Sequence, residues 1–187
     1  MLTTSILTLA LVATGLAQVV VPEGYQKFLI TSAVDAKFVI VPKAPLPPKS
    51  GGTIVVQVRN DKPEQHWYLT NSNSSRIQYS GTNLCLDAGA KSNWKDMGTI
   101  WLKDCSETEV AQRWSVLADG RIALQESPKP RKPITDNMWR DAEQCIDLVY
   151  MQARANNAVG LYTCAGLGNT GAKDKGINWP LVNVTTP

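Results

Sequence analysis

The sequence predicts an all-β fold made of three copies of one short unit. Two triplets, Gln65-His66-Trp67 and Gln112-Arg113-Trp114, lie 47 residues apart, and Asn178-Trp179 is a weaker third copy. A strand-like run precedes each of them. These runs are Gly52-Thr53-Ile54-Val55-Val56, Gly98-Thr99-Ile100-Trp101-Leu102 and Val159-Gly160-Leu161-Tyr162. Self-similarity at a period of about 45 residues is typical of a repeated unit that cannot bury its apolar face alone.

Short β-branched runs dominate the rest of the chain, separated by Gly, Pro, Asn and Asp. Helical periodicity is hard to find beyond the N-terminal segment, so these runs are interpreted as strands. Asp119-Gly120 between two runs indicates a hairpin. Many short strands at regular spacing predict an antiparallel barrel or sandwich. The predicted strands are Lys27–Thr31, Phe38–Val41, Thr53–Val58, Trp67–Thr70, Leu84–Asp87, Thr99–Leu102, Arg113–Leu117, Arg121–Gln125, Ile146–Tyr150, Val159–Thr163 and Pro180–Val184.

The three repeats are placed at about 25–70, 76–125 and 144–184 within one domain, residues 18–187. A chain of 187 residues is long enough for one well-buried domain. Proline-rich segments interrupt repeat one at 44–50 and separate repeats two and three at 126–143. Because proline cannot donate to a strand ladder, both segments are predicted to be surface loops.

The N-terminal segment, residues 1–17, has the features of a signal peptide. Ile6–Ala13 is an uncharged apolar run, and Gly15-Leu16-Ala17 supplies small residues for cleavage. A membrane anchor is the alternative, but the run is too short to span a bilayer. The mature chain is therefore predicted to begin near Gln18 and to be secreted into the extracellular space.

The four cysteines fit an oxidising compartment. Three pairings are open in principle, and the near-equal spacings favour Cys85–Cys105 and Cys145–Cys164, one bridge per repeat. Each bridge would contribute on the order of 3 kcal/mol. A zinc site is not expected, because the chain has no Cys-x-x-Cys and His66 is its single histidine.

Two glycosylation sequons agree with export, and the net charge of the chain is mild. Asn73-Ser74-Ser75 and Asn183-Val184-Thr185 are candidate glycosylation sites, Asn73 and Asn183 being the acceptors. The formal net charge is +3, and the basic residues are scattered apart from a small cluster within 129–132. This distribution argues against a nucleic-acid partner.

An ordered set of motifs recurs in the second and third repeats. Repeat two has Cys85-Leu86-Asp87, then Gly98-Thr99, Cys105 and Gln112-Arg113-Trp114. Repeat three has Cys145-Ile146-Asp147, then Val159–Thr163, Cys164 and Asn178-Trp179. The set resembles the ricin-B-type lectin family, carbohydrate-binding modules with a Gln-x-Trp signature. The resemblance covers the chain from about residue 25 to the end and implies a β-trefoil, a barrel with a cap of hairpins.

The triplets also have a structural role that follows from their chemistry. A buried tryptophan removes up to about 200 Å² from water, so Trp67, Trp114 and Trp179 are expected to share one core around a pseudo-threefold axis. A glutamine two residues before a tryptophan lies on the same side of an extended segment. The amides of Gln65 and Gln112 are therefore expected to fix backbone groups in the turn.

Sugar binding needs a different set of groups. A carboxylate accepts two hydroxyl donors at once, an aromatic face covers the C–H patch of a pyranose, and an amide offers a donor and an acceptor. In the family, the carboxylate is the Asp of Cys-x-Asp, and the aromatic residue lies two positions before the second cysteine. The resemblance thus implies Asp147, Tyr162 and Asn178 as binding residues in repeat three.

Repeat two keeps Asp87 and Gln112, but Lys103 stands at the aromatic position. Trp101 lies on the same strand face and is the candidate substitute. Repeat one has no Cys-x-Asp and has Val58 at the aromatic position, so no site is expected there. The alternative for both aspartates is capping of turn N–H groups, and for Tyr162 it is ordinary barrel packing.

A catalytic site is not expected. The chain has one histidine, His66, which is predicted on a solvent-facing strand position, and no Gly-x-Ser-x-Gly motif. A glycosidase needs two carboxylates held across a cleft, and the acids of the 126–143 insertion lie on a Pro-rich loop.

The sequence therefore predicts a secreted, metal- and cofactor-free lectin for glycans. The resemblance implies galactose-type sugars, with repeat three as the main site and repeat two as a weaker one. The alternative is a β-trefoil whose sugar sites have decayed and whose loops bind a protein, for example as a protease inhibitor. The oligomeric state is left open.

Overall fold

The computed structural model describes residues 23–70, 74–128, 143–164 and 174–184. The predicted signal peptide and Asn73 lie outside these ranges. The described residues form twelve short strands, joined by loops and by single turns of 3-10 helix. The strands are β1 (Gln26–Ile30), β2 (Phe38–Pro42), β3 (Ile54–Val58), β4 (Trp67–Leu69), β5 (Gln78–Tyr79), β6 (Leu84–Asp87), β7 (Trp101–Asp104), β8 (Trp114–Val116), β9 (Ile122–Leu124), β10 (Gln144–Leu148), β11 (Val159–Thr163) and β12 (Leu181–Asn183).

The strand pairing repeats three times. Strands β2–β3, β6–β7 and β10–β11 are antiparallel hairpins. The first strand of each unit, β1, β5 or β9, pairs with the last strand of the unit before it, and β1 closes the ring by pairing with β12. Isolated bridges join the three hairpins to one another, at Thr53–Trp101, Thr99–Gly160 and Val55–Ala158. The predicted all-β class and the β-trefoil are confirmed.

The pairing groups the strands as β1–β4, β5–β8 and β9–β12. We therefore propose that the third repeat begins near Arg121, whereas the sequence analysis placed residues 121–125 in repeat two. The Asp119-Gly120 turn does form a hairpin, with Gly120 at φ 89°, but it joins the last strand of one unit to the first strand of the next. The 126–143 insertion then lies inside the third repeat.

Three tryptophans occupy the same position in the three units, and all are buried in one core. Each indole N–H donates to a carbonyl in the second strand of its own unit, so the polar edge of each ring is satisfied. The bonds are Trp67 Nε1 to Ile40 O at 2.9 Å, Trp114 Nε1 to Leu86 O at 3.1 Å and Trp179 Nε1 to Ile146 O at 2.9 Å. At about 25 cal/mol per Å², each ring contributes about 5 kcal/mol of burial free energy.

The two glutamines of the triplets hold the preceding turn, as expected. Gln65 Nε2 donates to Val58 O and its Oε1 accepts from Asn60 N, both at 2.8 Å. In repeat two, Gln112 Nε2 donates to Asp104 O at 3.0 Å and its Oε1 accepts from the Ser106 N–H at 2.9 Å. The scaffold role predicted for both amides agrees with these contacts.

In the third unit Ile177 stands where the first two units have glutamine. Its side chain is fully buried against Ala123 and the Cys145–Cys164 bridge. Apolar packing thus replaces the amide hydrogen bonds at the position where the third triplet departs from the other two.

Both predicted disulfides are present, Cys85–Cys105 and Cys145–Cys164, each with a Cα–Cα distance of 5.0 Å.

Three local predictions were wrong. Strand β5 was missed, because a strand of two residues is too short to give an alternating pattern. The strand predicted over 146–150 lies at Gln144–Leu148, and Val149–Met151 forms a 3-10 turn. His66 is buried rather than solvent-facing, and burial followed by the positive charge of Lys27 lowers its pKa. In the described ranges, no helix is long and apolar enough to cross a membrane.

Candidate functional site

The register of the hairpins aligns the candidate residues of the three repeats. Cys85 pairs with Lys103 and Cys145 pairs with Tyr162, so Lys103 and Tyr162 are equivalent. The matching pair in repeat one is Val39 with Gln57. Gln57 therefore holds the aromatic position there, not Val58 as the sequence suggested, because the pairing register could not be read from spacing alone. Repeat one also has Val41 in place of the aspartate.

In repeat two, the carboxylate of Asp87 is fully partnered within the protein. Its Oδ1 accepts the Gly89 N–H at 2.7 Å and lies 2.9 Å from Lys103 Nζ. Its Oδ2 accepts from Gln112 Nε2 at 3.1 Å. Asp87 is 1% exposed. The turn-capping role considered for this aspartate is thus present, and an ion pair is added to it.

Lys103 bridges the carboxylate and the aromatic ring of repeat two. Its Nζ, besides contacting Asp87, lies 5.9 Å from the centroid of the Trp101 ring. The half-buried indole packs on Gly89, where an added β-carbon would lie 2.4 Å from Cζ3. Asp87, Trp101 and Gln112 are therefore brought together, and the Lys103 ammonium contacts both the carboxylate and the ring.

In repeat three, the carboxylate of Asp147 has neither a lysine nor a glutamine partner at the positions equivalent to Lys103 and Gln112. Tyr162 replaces the lysine, and Ile177 replaces the glutamine. Among the described residues, none donates a hydrogen bond to the Asp147 carboxylate, although the residue is only 7% exposed. A carboxylate with so little exposure and no described donor is costly to keep ionised.

Asp174 approaches the same point as Asp147. A β-carbon at Gly176 would lie 2.8 Å from Asp147 Oδ1 and 3.1 Å from Asp174 Oδ1, so a larger residue at position 176 would displace these carboxylates. Asp174 precedes the 3-10 turn Lys175–Ile177 and accepts the Gly176 N–H at 2.8 Å. It is the counterpart of Glu109, which accepts the Ala111 N–H before the equivalent turn of repeat two.

A loop of repeat two also reaches the site of repeat three. Asp96 Oδ1 accepts both the N–H and the hydroxyl of Thr163, each at 2.7 Å. The next residue, Met97, donates its N–H to Leu161 O at 2.9 Å. These bonds fix the exposed Asp96 carboxylate beside the strand that carries Tyr162. The sequence analysis missed Asp96, because no local pattern links residues 67 positions apart.

Three described carboxylates act on one another or on Tyr162 at this site. Burial, followed by the charges of Asp174 and Asp96, raises the pKa of Asp147 to about 7. Burial, followed by Asp96, Asp147 and Asp174, also raises the pKa of Tyr162. The half-buried Tyr162 ring packs partly against the cluster around Ile177. The barrel-packing alternative for Tyr162 therefore holds in part, while its environment is set by three carboxylates.

Asn178 is the middle residue of the third triplet and is 7% exposed. Its Nδ2 donates to Asp174 O at 2.6 Å, so the side chain braces the turn that carries Asp174. Asn178 thereby holds the backbone of Asp174 in place. In repeat two, Trp94 is half-buried against the core and donates its indole N–H to Gly89 O at 3.0 Å.

The exposed rim beside Asp147 was not predicted. Tyr150 is 74% exposed and Met151 is 44% exposed, and both have positive φ, 57° and 51°. Met151 Cγ lies 2.9 Å from the β-carbon position of Gly176, close to both carboxylates.

Asn183, the acceptor of the second sequon, is an exposed residue of β12 whose Nδ2 donates to Gln26 Oε1 at 2.9 Å. Within 23–70, 74–128, 143–164 and 174–184, no cluster of three or more His, Cys, Asp or Glu could hold a metal ion.

Comparison with protein families agrees with this architecture. Residues 41–129 match the family model described as ricin-type beta-trefoil lectin domain. This part of the chain is therefore similar to that family. This match confirms the resemblance found in the sequence. No curated protein sequence matches the chain.

Solved structures share the fold at low sequence identity. The designed threefold symmetric protein ThreeFoil is 16% identical, with a TM-score of 0.61 over 87% of this chain and 100% of that chain. The β-trefoil lectin of the Vibrio vulnificus hemolysin/cytolysin, with N-acetyl-D-lactosamine bound, is 11% identical, with a TM-score of 0.57 over 88% and 99%. The C-half of the earthworm R-type lectin, in complex with GalNAc, is 15% identical, with a TM-score of 0.56 over 84% and 98%.

The same fold also occurs as part of larger enzymes. An exo-β-1,3-galactanase from Clostridium thermocellum is 18% identical with a TM-score of 0.57, and the matched region covers 88% of this chain but 31% of that chain. At these identities the structures show the shared fold alone.

Proposed function

We propose that the protein is a secreted lectin that binds glycans non-covalently through its third repeat, without catalysis. The observation that carries the proposal is the buried Asp147 carboxylate, which lacks a donor from the described residues and shares its surroundings with Tyr162. A sugar hydroxyl would supply the missing donor. Because a charge-assisted bond to a carboxylate is roughly twice as strong as a neutral one, this contact would orient the sugar.

Galactose-type sugars are the proposed ligands. The family resemblance implies them, and two of the structural neighbours carry N-acetyl-D-lactosamine and GalNAc. In this assignment Asp147 accepts two adjacent hydroxyls, and the Tyr162 ring covers the C–H face of the pyranose. Asn178 acts through Asp174 rather than by direct contact, because its amide already donates to the backbone there.

Repeat two is proposed as a much weaker site. The acceptors of Asp87 are filled by Gly89, Lys103 and Gln112, so a sugar would have to displace protein donors. A single shallow site binds weakly, so useful avidity would come from self-association or from clustered glycans.

In repeat two, protein donors already occupy the Asp87 carboxylate, and this also supports the alternative hypothesis. In that hypothesis the β-trefoil binds a protein through its loops. Saturable sugar binding that depends on Asp147 would exclude that rival as the main function. Inhibition of a protease by the chain, together with silence toward glycans, would establish it.

The test is a glycan array followed by calorimetry on the chain from Gln18 onward. We expect galactose-type glycans to bind and the Asp147→Asn and Tyr162→Ala variants to lose at least about tenfold in affinity, the loss of one good polar or stacking contact. Asp61→Asn removes an exposed carboxylate from repeat one and serves as the matched control, with unchanged binding. No binding to any glycan, or equal binding by all three variants, would overturn the proposal.

A further inference from the structure

We propose that the site in repeat three recognises an amino sugar with a free, protonated amino group. The inference rests on the proposed lectin function and deepens it by naming the ligand class. It comes from a comparison within the molecule, because repeat two shows how this protein satisfies the equivalent carboxylate. There, an ammonium group does so.

The Lys103 ammonium provides the template. It lies 2.9 Å from Asp87 Oδ1 and 5.9 Å from the centroid of the Trp101 ring, so it makes an ion pair and a cation–π contact at once. Its side chain remains 45% exposed, so the cation lies at the mouth of the site rather than in the core. An aminoglycoside or amino-sugar ligand that approaches from solvent would place its own ammonium group in the same way.

Repeat three keeps the carboxylate, and no described residue of the repeat supplies the cation. Position 162 holds a tyrosine instead of a lysine, so an aromatic ring is still present while the charge is gone. Gly160 stands in the place of Trp101, since Gly160 pairs with Asp147 as Trp101 pairs with Asp87. No salt bridge formed by the described residues involves Asp147 or Asp96. The ligand is therefore left to supply the positive charge.

The surroundings favour a cation over a neutral hydroxyl. Among the described residues, the charged groups that act on Asp147 are Asp174 and Asp96, and both are carboxylates. Asp96 is held at the rim by its two bonds to Thr163, so its charge is fixed next to the ligand position. An ammonium group gains from all three carboxylates and from the face of Tyr162, where a cation–π contact is worth about 0.5–2 kcal/mol. An acetylated amine has no charge and gains none of this.

The first experiment compares galactosamine, N-acetylgalactosamine and galactose by calorimetry at pH 7.0, where the sugar amine is largely protonated. Phosphate buffer is required, because an amine buffer would compete. We expect galactosamine to bind at least about tenfold more tightly than the other two, and the advantage to shrink in 1 M salt. In Asp147→Asn the three sugars should bind alike, and Asp96→Asn should remove part of the advantage. Asp61→Asn is the control.

The outcomes separate the two proposals. If galactose or N-acetylgalactosamine binds as tightly as galactosamine, the amine preference is wrong and the lectin proposal stands. If none of the three sugars binds, both proposals fail.

A second experiment tests the template itself. Lys103→Ala leaves Asp87 and Trp101 without their cation, and added methylamine should then raise the melting temperature of this variant by a few degrees. Acetamide should not. Lys91→Ala is the matched control, since Lys91 lies over Trp94 without a carboxylate partner among the described contacts. Equal effects of methylamine and acetamide on Lys103→Ala would overturn the inference from Lys103.

Discussion

Repeats two and three present the same carboxylate in two opposite states. Asp87 is held by Lys103, Gln112 and Gly89, and it ties the turn together. Asp147 occupies the equivalent place with no described donor, beside other carboxylates. Tyrosine for lysine and isoleucine for glutamine remove two of the three donors. The Val149 N–H, two residues after Asp147 as Gly89 is after Asp87, donates to Ala158 O instead. The comparison teaches that the Cys-x-Asp motif marks a position, while the residues opposite it decide whether the aspartate holds the fold or faces a ligand.

The largest expected difference concerns stability. Asp87→Ala removes the ion-pair partner of Lys103 and the acceptor used by the Gly89 N–H and by one Gln112 hydrogen bond. We therefore expect a loss of about 2–3 kcal/mol in the free energy of unfolding. Asp147→Ala removes an unpaired charge and should cost less than about 1 kcal/mol. Urea unfolding of both variants measures the difference. Equal losses at the two positions would show that the two carboxylates are not in opposite states.

The second expected effect is a pH-dependent gain in the variant Asp147→Asn. The pKa of Asp147 is about 7 in the folded protein, against 3.8 as its ordinary value. The folded state thus holds a proton that the unfolded state has released, and wild-type stability falls as the pH rises from about 4 to 7. The shift sets a ceiling of about 4 kcal/mol, and we expect on the order of 2 kcal/mol. The asparagine variant should escape this fall.

Thermal unfolding from pH 4 to pH 8 checks the sign. The stability of Asp147→Asn relative to the wild type should increase between pH 4 and pH 7 and then level off. A constant difference across this range would mean that Asp147 titrates as an ordinary carboxyl group.

The smallest expected effect is on the affinity for an uncharged galactoside. Only the ionised Asp147 accepts two hydroxyl donors, so binding should weaken about tenfold from pH 8 to pH 6, which corresponds to about 1.4 kcal/mol. Calorimetry with methyl galactoside measures this change, and a neutral sugar avoids titration of the ligand. An affinity that is flat over this range, or that rises toward pH 6, would contradict the role given to the ionised carboxylate.

The fold was largely predictable from the sequence, because its determinants are local and repeated. The tryptophan of each triplet and the glycine-containing strand before it recur in order, so the shared core followed from spacing. Strand β5 could not be found this way, since Gln78–Tyr79 is held by its neighbours rather than by its own pattern. The boundary between the second and third repeats could not be fixed from the sequence for a related reason, because a hairpin turn looks the same within a unit and between units.

The site was predictable only in part. Asp147 and Tyr162 follow from a motif within one repeat, and the structure places them in a common environment. Asp96 and the Lys103–Asp87 ion pair depend on tertiary contacts and on strand register, which spacing does not give. One signal was available for Asp174, which precedes its turn as Glu109 precedes the turn of repeat two. In both repeats an acidic residue lies three positions before the last residue of the 3-10 turn, and this shared spacing could have pointed to Asp174.

The bond between Asp96 and Thr163 has a consequence for protein engineering. It makes the third unit dependent on a loop of its predecessor, so the binding surface is not self-contained within one module. A trivalent protein built by copying residues 121–184 alone would rebuild the hairpin and the aspartate, yet its rim would be complete only if the 91–98 loop travelled with every copy.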